Sequence, residues 1–87
     1  MEKDLKLFYF KKIKSKIKWI IQNNETMRND LLMYLEICIE VCNLLEDKFK
    51  QNTGRDKDIF QQIQNCVLLN HYFEAYEFIT IKEKELM

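Results

Sequence analysis

A single glycine, Gly54, and no proline in 87 residues narrow what this chain can build more than any other feature. Folds with many tight turns rely on those two residues to set unusual backbone angles. A chain with Gly54 alone for that role must consist of few, long elements. Apolar residues make up 47% and charged residues 32%, a balance that excludes a disordered tail and fits one helical domain spanning 1–87. A domain of this size buries about 60–65% of the surface its unfolded chain exposes, which leaves little room for a deep enclosed site. Function is therefore expected on the surface.

Helical periodicity organises the chain. Phe10, Ile13, Ile17, Ile20 and Ile21 fall within one arc of roughly 100°, with Lys11, Lys12, Lys14, Lys16 and Lys18 outside it, which predicts an amphipathic helix over 4–22. A competing pattern is present, because Ile13, Ser15, Ile17, Trp19 and Ile21 alternate with lysines as in a half-buried strand. No second alternating run exists to pair with it, so helix is preferred. Gln22-Asn23-Asn24-Glu25-Thr26 is rich in side chains that cap helices and is expected to be the first connection.

From 27 to 50, Leu31, Leu32, Tyr34, Leu35, Cys38, Val41, Cys42, Leu45 and Phe49 cover one broad side, extended by Met33, Ile37 and Leu44. So wide an apolar girth predicts the central helix of the fold. Gln51-Asn52-Thr53-Gly54 should end it, with Gly54 in the left-handed conformation and Asp56 or Asp58 capping a third helix. Ile59, Phe60, Ile63, Cys66 and Val67 share one face, but Leu69, Tyr72, Phe73, Tyr76 and Ile79 point to the opposite one. Either the chain turns near Asn70-His71 or one helix twists between two contacts, and the turn is preferred. The fold class is all-α, a small antiparallel bundle of three or four helices.

The segment from Asn70 to Phe78, Asn-His-Tyr-Phe-Glu-Ala-Tyr-Glu-Phe, resembles the start of the second helix of a tetratricopeptide-type repeat, where a small turn, an aromatic and an alanine recur. With no second copy in the chain, the resemblance implies only an αα-hairpin centred on Asn70.

Fourteen basic and fourteen acidic residues cancel over the whole chain, so no overall excess announces nucleic acid or anionic lipid. Locally they separate. Residues 1–20 hold seven lysines against Glu2 and Asp4, a net of +5, and residues 21–87 carry −5. No apolar run reaches the ~20 residues of a membrane span. An odd cysteine count, with Cys38 and Cys42 four apart on one helix, suits free thiols in a reducing compartment and a cytoplasmic location.

The inventory for catalysis is thin. His71, Cys38, Cys42 and Cys66 lack any Cys-x-x-Cys or His-x-x-x-His spacing, and one glycine cannot form a phosphate-cradling loop, so no enzyme activity, metal or cofactor is expected. Two surfaces remain. Glu36, Glu40, Asn43 and Asp47, with Asn29, form a ridge of acceptors along the second helix, and the like-charged Glu36/Glu40 pair costs the helix a few tenths of a kcal/mol that a cationic partner would offset. The expected function is binding another protein, as an inhibitor, immunity-type protein or adaptor, with a basic toxin or enzyme the kind of partner such a ridge suits. The alternative is a nucleic-acid-binding regulator in which Lys11, Lys12, Lys14, Lys16, Lys18 and Trp19 track a phosphate backbone. Scarce arginine, only Arg28 and Arg55, weighs against it. The plainest account makes those lysines solubilising side chains partly neutralised by Glu36, Glu40 and Asp47.

Overall fold

In the computed structural model, which describes residues 1–23 and 25–87, every apolar stripe with helical period becomes a helix. The helices are α1 (Lys3–Gln22), α2 (Arg28–Phe49), α3 (Gly54–Leu68) and α4 (Tyr72–Leu86), with a 3-10 turn at Glu25–Met27 leading into α2. Helix accounts for 87% of the described residues, and none of them is in a strand. In α1 the spacing of three and four wins over the alternation. Ile13 and Ile17 are wholly buried while Ser15 and Trp19 are exposed, as helix geometry requires and a strand face would not. Of the first connection, Asn24 lies outside the described residues, and Met27, which has no capping oxygen, stands at the boundary of α2.

Each helix packs against two others in the ring order α1, α2, α3, α4, and successive helices run antiparallel, so that Lys16 lies beside Asp30 while the earlier Tyr9 lies beside the later Tyr34. The core is one cluster to which every helix adds residues three or four apart: Phe10, Ile13, Ile17 and Ile20; Leu31, Leu35, Cys38 and Cys42; Phe60, Ile63 and Val67; Tyr72, Ala75 and Ile79. Each large side chain so buried contributes about 1.5–3 kcal/mol. Across the diagonal, Phe10 and Phe60 meet edge to face with ring centres 5.9 Å apart. At that end of the bundle, Asp56 is nearly buried, with Lys6 Nζ 2.8 Å and the Met1 amino group 3.4 Å from its carboxylate oxygens.

Helix α2 is not central. It has two neighbours like the rest, and the residues expected to extend its buried side, Met33, Ile37 and Leu44, are 49–65% exposed, as is Phe49 of the broad side itself. The left-handed turn also falls elsewhere. Lys50, not Gly54, adopts it (φ 56°), and the Lys50 N–H donates to the Glu46 carbonyl. Gly54 instead opens α3 with negative φ, its N–H donating to Asn52 Oδ1 at 3.3 Å. Neither Asp56 nor Asp58 caps α3, since both lie inside it and Thr53 precedes it. Thr53 is fully buried and its hydroxyl donates to the Cys42 carbonyl at 2.9 Å, which ties the loop to α2.

The turn between α3 and α4 falls where the apolar face switches. Asn70 takes the left-handed conformation (φ 60°), the His71 N–H reaches back to the Cys66 carbonyl at 2.8 Å, and the Asn70 N–H to that of Val67 at 3.0 Å. This is a Schellman end with asparagine in place of glycine. Asn70 Oδ1 also accepts from Arg28 Nε and the Tyr72 hydroxyl, so the turn is held by side chains of α2 and α4.

Candidate functional site

Inward-facing Leu35, Cys38 and Cys42 rotate Glu36, Glu40 and Asn43 toward the outer edge of α2 that borders α3. There the three line a shallow groove of about 260 Å³ whose other wall is Gln61 and Gln64 of α3, with Ile39 between them. The groove continues toward Leu68 past Asn29, Leu32 and Met33, with Glu36 and Gln64 common to both stretches. One end is thus acidic and amide-lined, the other apolar. Glu36 and Glu40 are exposed, and the ion pairs among the described residues engage neither of them. Asp47, the last member of the ridge, lies outside both stretches of the groove. The glutamines of α3 escaped sequence reasoning because nothing in α2 says which polar face of another helix will stand beside it.

The basic residues of α1 are divided by the same logic. Lys14 turns toward α4, where Nζ lies 3.0 Å from Glu83 Oε1 and 5.6 Å from the Tyr76 ring centre. Lys16 turns toward α2, where Nζ lies 2.5 Å from Asp30 Oδ2 and 5.3 Å above the Tyr34 ring. Both are therefore engaged within the fold. Lys11, Lys12, Lys18 and Trp19 remain exposed on the outward side. The acids that meet the lysines of α1 are Asp56, Glu83 and Asp30, not Glu36, Glu40 and Asp47 as the sequence suggested.

The thiols are poorly placed for nucleophilic chemistry. Burial, reinforced by neighbouring Cys42, pushes Cys38 up to about 12. Burial first, and Asp56 second, raises Cys42, and burial with Glu74 raises Cys66. Protonated thiols are weak nucleophiles and weak metal ligands. Among the described residues no group of three or more histidine, cysteine or acidic side chains is arranged to hold a metal ion, and no helix is long and apolar enough to cross a membrane. His71 is exposed, its Nδ1 3.5 Å from Glu74 Oε2.

No protein-family model matches this chain, and neither a curated protein nor a solved structure matches it.

Proposed function

We propose that this four-helix bundle is a small protein-binding domain of the inhibitor, immunity or adaptor kind, which docks a cationic segment of a larger protein in the α2–α3 groove. One observation carries the reading: Glu36 and Glu40 converge with Asn43 on a groove where no ion pair among the described residues engages either carboxylate, next to the apolar stretch formed by Leu32, Met33 and Leu68. Unbalanced charge beside apolar surface suits association, because the charge steers encounter and the apolar part holds the complex. Affinity capture from the native cell supplies the partner, and stopped-flow association at two salt concentrations tests the surface. Glu36→Lys with Glu40→Lys is expected to slow association and remove most of its salt dependence. An unchanged on-rate would overturn the assignment.

A second reading draws on Lys11, Lys12, Lys18 and Trp19, which stay exposed on α1. With Lys14 and Lys16 paired internally, three lysines remain for phosphates. Binding to single-stranded nucleic acid would then show a shallow salt slope, on the order of −2. Electrophoretic shifts at two salt concentrations distinguish this reading from the first.

A further inference from the structure

The side of the bundle formed by α1 and α2 together bears exposed apolar residues that the groove does not use, with the exposed charges of Lys12 and Glu40 set among them. On α1, Tyr9 and Lys16 mark the edge that meets α2, and Phe8 and Trp19 stand next to it, 54% and 53% exposed. On α2, Asp30 and Tyr34 mark the edge that meets α1, and Ile37 and Leu44 stand next to it, 53% and 49% exposed. Phe8 and Ile37 bring two large exposed apolar side chains to one level of this side, and surface of that kind suits association when charge is arranged around it. Charge flanks these residues in opposite senses: Lys11 lies on the outer rim of α1, toward α4, and Glu36 on the outer rim of α2, toward α3.

We propose that this side is the interface with a second copy of the same chain, in a twofold dimer whose axis runs parallel to the helices. Such an axis sets α1 of each copy on α2 of the other and preserves the level of every residue along the bundle. The Lys16–Asp30 ion pair and the Tyr9–Tyr34 ring contact place Phe8 level with Ile37, and Lys11 within about one turn of Glu36. Phe8 therefore meets Ile37 of the other copy at the centre, and Lys11 meets its Glu36 at the rim, each contact made twice by symmetry. A twofold perpendicular to the helices would instead lay α1 on α1 and oppose lysine to lysine, so charge selects between the two. Fourteen bases and fourteen acids leave each copy neutral, and the pair does not repel at long range. A standard interface takes about 800 Å² from each partner, roughly one seventh of the 5718 Å² here, which one side of a bundle 39 Å long supplies. The groove and this face meet at Glu36, whereas Ile37 lines neither stretch of the groove, so Ile37→Glu tests the dimer without touching the groove and separates the two readings.

Analytical ultracentrifugation across micromolar to submillimolar concentrations tests the proposal. The unmodified chain is expected to dimerise, and Ile37→Glu to weaken dimerisation at least tenfold. Lys11→Glu alone and Glu36→Lys alone should each weaken self-association, because symmetry repeats the repulsive contact. An equimolar mixture of these two variants should dimerise again, since both rim contacts are then restored in the mixed pair. Trp19 emission should shift to the blue as the unmodified chain is concentrated, a readout that needs no variant. A chain that stays monomeric throughout, charge variants that dimerise unchanged on their own, or a mixture that remains monomeric would each overturn it.

Discussion

Lys14 Nζ and Glu83 Oε1 lie 3.0 Å apart, joining α1 to α4 by a contact between residues 69 positions apart in the chain. The two ends of this pair are unequal, because the Glu83 side chain is only 10% exposed while that of Lys14 keeps 28% of its surface. Removing the lysine strands a nearly buried carboxylate, whereas removing the carboxylate leaves a lysine free to swing into water. Lys14→Ala is therefore expected to cost about 1–2 kcal/mol and Glu83→Ala less. Urea denaturation of both variants checks the order, and a larger loss for Glu83→Ala would show that the carboxylate stem matters more than the charge.

Thr53 carries a comparable duty for the α2–α3 loop. Its hydroxyl is fully buried and donates to the Cys42 carbonyl, so Thr53→Val should keep the shape while removing the bond, at a cost of about 1–2 kcal/mol. Thr53→Ser should retain the bond and lose mainly a methyl contact. Thermal melts of the two would reveal a packing role instead if the serine variant fell further.

The misplaced glycine offers a direct test of backbone strain. Lys50 holds a left-handed conformation that favours glycine, and Gly54 sits in a helical first turn where an added Cβ would meet only Asn52 Oδ1, at 3.6 Å. Lys50→Gly and Gly54→Ala are each expected to raise stability by about 0.5–1 kcal/mol. Differential scanning calorimetry should show both variants melting higher than the parent.

Alkaline pH should unfold the protein progressively. Cys38, raised from 9.0 to about 12 chiefly by burial, keeps its proton in the fold under conditions where the unfolded chain has lost it. Between those values the folded state binds more protons than the unfolded one, so stability falls as pH rises. Tyr34, pushed up to about 12 by burial with its hydroxyl unpartnered, acts in the same direction above pH 10. Denaturant midpoints measured from pH 7 to 11 should stay level and then decline from about pH 9, less steeply in Cys38→Ala.

Local periodicity alone determined the helices, because a stripe three and four residues apart can be buried in only one regular conformation. The span 4–22 differs from α1 by one residue at its start, and the reversal of apolar face after Val67 marks the break that Asn70 makes. The alignment of Glu36, Glu40 and Asn43 was legible for the same reason, being a matter of positions within one helix. What came to lie beside them was not. Only the tertiary structure decided that Gln61 and Gln64 form the opposite wall, that Lys14 and Lys16 turn inward to Glu83 and Asp30 while Lys11, Lys12 and Lys18 do not, and that Met33, Ile37 and Leu44 stay outside the core. A helical repeat shows which residues share a face but not which faces find a neighbour, and with two neighbours to each helix an apolar girth as wide as that of α2 cannot all be covered.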